Sequence, residues 1–147
     1  MTHVFKLQKV MDFREKEKNS ALADYNQSVK EFEQAAEQLY GYLKKKEVLE
    51  EEKERKILKG LPIQEFRHYQ NFAVNLEKTI QHYQSLVMAS RSRMNEKQSA
   101  LIERSIELKK YSTIKDRQYQ QYIAEQKAMD SKQMDDLSIQ AYVANQS

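Results

Sequence analysis

The chain has 147 residues, of which 32% are charged, with 25 basic against 22 acidic side chains, two glycines, one proline and no cysteine. A mean hydropathy of −0.91 is too polar for a thick globular core, whereas long paired helices need to bury only about two positions in seven. The near balance of charge, +3 net, gives no basis for nucleic-acid binding, and the lack of cysteine excludes disulfides and thiolate chemistry and fits a reducing cytoplasm.

The opening MTHVFKLQKVMDFREKEKNS lacks the uninterrupted apolar core of a signal peptide. No later run approaches the ~20 apolar residues that a membrane span requires. A soluble protein with no direct membrane insertion is therefore expected.

A first helix is expected from about residue 4 to 58. Its heptads are clearest with Leu22, Val29, Ala36 and Leu43 at a and Tyr25, Phe32 and Leu39 at d, an unbroken 3-4 spacing. Extended backward, the a line reaches Glu15 and Gln8, so this end should be looser. Forward lies the charge run KKKEVLEEEKERKILK, which reads as a solvated helix with many i,i+4 pairs. Gly41 fits two readings: a place of close approach by a partner, or a tolerated defect.

The punctuation is Lys59-Gly60-Leu61-Pro62. Glycine closing one helix and proline opening the next is the expected asymmetry. A second helix then runs from about residue 62 to 143. Its a line is Phe66, Ala73, Ile80, Val87, Met94, Leu101, Leu108, Lys115, Tyr122 and Met129; at d stand Tyr69, Leu76 and Tyr83, followed by the polar Ser90, Lys97 and Arg104.

So short a turn makes the two helices antiparallel. The fold class expected is therefore all-α, a single coiled-coil hairpin domain over residues 1–147 whose second helix overhangs at the C-terminus. Leu43 with Leu76, Leu39 with Ile80, Ala36 with Tyr83, Phe32 with Val87 and Tyr25 with Met94 all have residue numbers adding to 119, a register centred at Lys59-Gly60. It sets Glu15 opposite Arg104 and Met11 opposite Leu108, and leaves residues beyond about 118 without a partner in the chain.

The flanks differ. Gln70, Glu77, Gln84, Arg91 and Gln98 make one side of the second helix polar, while Phe72, Thr79, Leu86 and Ala100 line the other, matched on the first helix by Ala35, Tyr42 and Leu49. Two readings fit this apolar flank: a widened core, or a patch that docks on another protein. The overhang carries Tyr122, Met129, Met134, Leu137, Ile139 and Tyr142. It can fray, fold back, pair with a second copy, or enter another protein.

Catalytic constellations are absent: there is no Gly-rich phosphate loop, no G-x-S-x-G and no H-E-x-x-H. His68 and His82 share a helical face, but fourteen residues at ~1.5 Å each place them about 21 Å apart, too far to share a metal. Asp135 and Asp136 are adjacent and point apart. No catalytic residue, cofactor or metal is expected, and no enzyme.

The segment FRHYQNFAVNLEKTIQHYQ at residues 66–84, the turn before it and AMDSKQMDD at residues 128–136 resemble the FliJ family of flagellar type III export proteins. Tyr69-Gln70, Phe72, Leu76-Glu77, Met129-Asp130 and Met134-Asp135 carry the likeness. The resemblance implies a cytoplasmic antiparallel coiled coil, similar to the γ-subunit hairpin of rotary ATPases, at the inner face of the cell membrane. It would be a non-enzymatic adaptor in flagellum biogenesis and motility. Its partners would be the ring of the flagellar export ATPase (FliI), the cytoplasmic domain of the export-gate protein (FlhA) and the export chaperones.

Carried onto this chain, the gate-facing residues are Gln38, Tyr42, Leu49, Phe72, Leu76, Thr79 and Tyr83. The end entering the ATPase ring comprises Val4, Leu7, Met11, Tyr122, Met129, Met134 and Leu137. The alternative is a purely structural or dimerising coiled-coil spacer.

Overall fold

The computed structural model describes residues 4–146. Two long helices pack against each other: α1, Gln8–Lys59, and α2, Ile63–Gln146. Among the described residues there is no strand. The first helix begins at Gln8 rather than near Val4. The preceding residues form a turn in which the Phe5 carbonyl accepts the Gln8 N–H at 3.1 Å.

Between the helices Gly60 has φ of 91°, left-handed backbone that favours glycine. Its N–H donates to the Ile57 carbonyl at 3.2 Å, and the Pro62 carbonyl accepts the first bond of α2 from Phe66 N–H at 3.1 Å. Pro62 thus sits at the N-cap. Lys56 and Lys59 in the last turn of α1 and Glu65 in the first turn of α2 each complement the local end of the helix dipole.

The chain divides into two compact units, residues 19–102 and residues 1–18 with 103–147. In the first, ion pairs join Lys46 to Glu77 at 3.0 Å and Glu31 to Arg93 at 2.8 Å. Lower numbers on α1 meet higher numbers on α2, so the helices run antiparallel. The core lies at Leu76, 7% exposed, and Ile80, 1% exposed.

On α2 most covered residues fall on the expected a and d lines, Phe66, Tyr69, Leu76, Ile80, Tyr83, Val87, Ser90, Met94 and Lys97, joined by Glu77, Thr79 and Ala100, while Ala73 of the a line is exposed. On α1 they do so only in part. The covered residues include Tyr25, Ser28, Phe32, Ala35, Leu39, Tyr42, Lys46, Leu49 and Lys53, together with Val29 and Ala36 of the expected a line, whereas Leu22 and Leu43 of that line are 41% and 42% exposed. The seam on α1 therefore centres on the d line and takes in the flank that holds Tyr42, while keeping Val29 and Ala36 from the middle of the a line.

The physical reason is the chemistry of the lysines. Lys53 lies over the Phe66 ring at 5.0 Å and Lys56 over the Tyr69 ring at 5.3 Å, so their stems cover apolar surface while the heads stay wet. The rival a line ends in Glu15 and Glu50, whose short anionic side chains cannot do this. Ser28, 3% exposed, donates its hydroxyl to the Tyr25 carbonyl at 2.6 Å, so its own buried oxygen is satisfied.

The register also differs from expectation. Tyr83 was expected opposite Ala36, but its ring stacks on Tyr42, with centroids 5.0 Å apart. Two causes account for the displacement. The turn is centred on Leu61, since α1 ends at Lys59 and α2 begins at Ile63. Helical side chains also lean toward the N-terminus, so each contact is made by a residue about one position further along on both helices. Together these raise the sum from 119 to roughly 124, against 125 for Tyr42 with Tyr83.

The other unit is held by one buried ring, Phe5 at 5% exposed, and by polar contacts. Glu17 accepts from Arg14 at 3.1 Å and from Arg104 at 3.2 Å, and Lys115 donates to Gln8 Oε1 at 2.7 Å. Arg104 thus reaches Glu17 rather than the expected Glu15. Tyr122, Ile123 and Gln126 are still half-buried, while residues 127–146 are exposed throughout. The continuously exposed end begins after Gln126 rather than at about residue 118.

Candidate partner-docking surfaces

Within residues 19–102 the apolar flank of α2 divides between interior and surface. Leu76 belongs to the core, and Tyr83 is half-buried between the stacked Tyr42 and an edge contact with His82 at 5.3 Å. Thr79 is half-buried, and its hydroxyl donates to the Asn75 carbonyl at 3.1 Å. Phe72 alone among the expected α2 residues presents most of its ring, at 55% exposed.

Beside Phe72 lies an open hollow of about 450 Å³, lined on α1 by Gly41, Val48 and Leu49 together with Lys44, Lys45 and Glu52. A second, more polar hollow of about 660 Å³ is lined by Gln38, Tyr83, Leu86, Ser90 and Arg93 among others. The expected gate-facing residues are thus split. Leu49 and Phe72 share one hollow, Gln38 and Tyr83 share the other, and Tyr42 stacks on Tyr83.

Sequence reasoning placed neither Val48 nor Lys44 at this surface. Val48 falls on no heptad line used for the seam, and its signal was its spacing of seven from Gly41.

Both signs of charge border the hollow beside Phe72, through Lys44, Lys45 and Glu52. Lys45 Nζ stands 4.9 Å from the Tyr42 ring centre and Lys44 Nζ 5.7 Å from that of Tyr40. Lys46 is hydrogen-bonded to Glu77, which holds its ammonium above the ordinary lysine value, and the Tyr69 hydroxyl does the same for Lys56.

In the unit of residues 4–18 and 103–146, the expected ring-entering residues have different fates. Met11 and Tyr122 are half-buried, whereas Val4, Met129, Met134 and Leu137 are well exposed and Leu7 is just over one-third exposed. Phe5, which sequence reasoning did not single out, is the one buried ring there. Its position ahead of the first helical turn gives it no heptad assignment. Ile139, Tyr142 and Val143 extend the exposed stretch.

Among the described residues no group of three or more His, Asp or Glu side chains converges, and no helix is long and apolar enough to cross a membrane. His3 lies outside the described residues.

Comparison with known proteins supplies the context for these surfaces. The family model described as Flagellar FliJ protein matches residues 3–147. The Flagellar FliJ protein of Bacillus subtilis (strain 168) is 46% identical over 143 residues, 97% of each chain. No solved structure matches. A family match over nearly the whole length, with a relative of that identity over the same span, shows that the chain belongs to the FliJ family of flagellar proteins.

Proposed function

We propose that this protein, a non-enzymatic FliJ-family component of flagellar export, is an adaptor between the export ATPase ring and the export gate with its chaperones. It would act in the cytoplasm at the inner face of the cell membrane. The observation that carries this reading is the helical but uncovered end of α2. Residues 127–146 are exposed throughout, and they hold Met129, Met134, Leu137, Ile139, Tyr142 and Val143. A single amphipathic helix in water is marginal unless something covers its apolar side. Methionine suits a surface touched weakly by several subunits, because its unbranched side chain adapts to different packings.

In this reading residues 127–146, with Val4 and Leu7, enter the ATPase ring. Phe72, with Leu49 and Gln38 on the other helix, faces the gate. The half-buried Tyr42, Thr79 and Tyr83 shape that surface from below, and Met11 and Tyr122 do so for the ring end. The test is the hydrolysis rate of the cognate export ATPase with full-length chain and with a chain ending at Gln126. Stimulation by the first and none by the second supports the assignment. Equal stimulation by both removes the end of α2 from the ring. A truncated chain that changes only from dimer to monomer would favour the spacer reading.

A further inference from the structure

We propose that the free chain forms a symmetric antiparallel dimer through the outer face of α2 between Ile106 and Ile139, in which Lys109 and Lys110 of each copy meet Asp136 and Asp135 of the other. The proposal goes beyond the adaptor reading and does not depend on it.

Along this stretch α2 has two different sides. Leu108, Lys115 and Tyr122 are half-buried and mark the side packed on the start of α1, where Lys115 reaches Gln8. Ile106, Lys110, Arg117, Ala124, Ala128 and Asp135 fall on the opposite side at ~100° per residue, and all are exposed. Part of that side is an open hollow of about 450 Å³ lined by Ile106, Lys109, Lys110, Thr113, Ile114 and Arg117. Thr113 donates its hydroxyl to the Lys109 carbonyl at 2.9 Å, so its polar atom needs no partner from outside.

A hollow with an apolar floor and three cations fits an occupant that is apolar and anionic. The same face of α2 carries such a segment further on, in Asp135 and Asp136 with Ile139, which is 61% exposed. Neither the two lysines nor the two aspartates form an ion pair among the described residues. They cannot meet within one chain, because about 26 residues of unbroken helix hold them roughly 39 Å apart at ~1.5 Å per residue.

A second copy brings them together twice. Facing residues of an antiparallel pair have numbers with a constant sum, and one value serves this whole face. Ile106 with Ile139, Lys109 with Asp136 and Lys110 with Asp135 all add to 245. The same register sets Ile114 against Ser131, Arg117 against Ala128 and Gln121 against Ala124. Each is a large side chain against a small one, which lets the ridges of two helices interdigitate. From Glu103 to Tyr142 no two charges of like sign directly face each other. The contact is isologous, so every favourable pair occurs twice. It also covers part of the end assigned above to the ATPase ring, so self-pairing and ring entry exclude each other.

The experiment is sedimentation equilibrium of the full-length chain alone, over a range of concentrations and at low and high salt. A concentration-dependent dimer is expected, weaker at high salt. Lys109→Asp with Lys110→Asp sets like charges against each other at both ends of the pair, and should raise the dissociation constant roughly tenfold or more. Asp135→Lys with Asp136→Lys should do the same. An equimolar mixture of the two variant chains should regain the dimer, because each reversed patch then meets its complement. Helix content by circular dichroism should not change, since all four side chains are exposed.

A wild-type chain that stays monomeric throughout overturns the proposal, as does a dimer that either reversal leaves intact. Variants that each lose the dimer and do not pair when mixed overturn the register. The export ATPase is absent from this measurement, so failure here leaves the adaptor reading standing, and failure of ATPase stimulation leaves the dimer standing.

Discussion

The ring of Tyr42 on α1 stacks on that of Tyr83 on α2, with centroids 5.0 Å apart and planes inclined by 22°. This contact sets the register of residues 19–102 and leads to a crosslinking prediction. Cysteines replacing Tyr42 and Tyr83 should be joined within one chain by a short bifunctional thiol crosslinker more readily than cysteines replacing Ala36 and Tyr83, because the stacked rings show that these two positions reach toward each other. Non-reducing electrophoresis distinguishes the two. Preferential bonding of the 36/83 pair would restore the register centred at Lys59-Gly60.

The rotated seam makes a second prediction about stability. Ile80→Ala should cost roughly 2–5 kcal/mol, the usual range for truncating a buried aliphatic side chain. Leu22→Ala and Leu43→Ala should each cost less than about 1 kcal/mol, as surface substitutions do. Urea denaturation followed by circular dichroism measures all three. Equal losses at Leu43 and Ile80 would return Leu43 to the seam.

These two cases show what the sequence makes legible. Helix number, the glycine–proline turn and most of the a and d lines of α2 follow from residue type and spacing, because the flank of Phe72, Thr79, Leu86 and Ala100 is less continuously apolar than the line through Phe66, Ile80 and Val87. On α1 two stripes compete. The more apolar of them, Leu22 to Leu43, keeps only Val29 and Ala36 covered, because burial of a lysine stem against an aromatic ring does not register in a count of apolar residues. Lys53 over Phe66 is that interaction. The register failed for a related reason: pairing arithmetic treats side chains as pointing straight across, whereas they lean toward the N-terminus. At the docking surface, Phe72 was legible as an apolar flank residue and Leu76 as a seam residue, while the stacking of Tyr42 on Tyr83 depends on how the two helices face each other.

The polar contacts around Glu17 give a third prediction. Arg14 and Arg104 both rely on this one carboxylate, and Arg14 Nε is buried without a hydrogen-bond partner. Glu17→Ala should therefore lower the melting temperature, since two guanidiniums lose their counter-charge. Arg14→Met should lower it less, because the apolar stem is kept and the unpartnered Nε removed, although the bonds to Glu17 and Tyr111 are lost. A fall for Arg14→Met as large as that for Glu17→Ala would make the arginine itself a stabilising group.

Phe72→Ala is expected to separate binding from folding. Its ring is 55% exposed, so truncation should move the melting temperature little. A seated aromatic anchor is worth ~2 kcal/mol or more, which corresponds to about a thirtyfold loss of affinity for the gate domain. A large drop in melting temperature would show the ring to be part of the core.

The adaptor reading is tested most directly by bridging. Immobilised export ATPase is incubated with the cytoplasmic domain of the export gate, with and without this chain, and the retained gate domain is measured. Retention is expected only in the presence of the full chain, and it should be lost both with Phe72→Ala and with the chain ending at Gln126. Gate domain retained equally without the chain, or not retained with it, would contradict the proposed link.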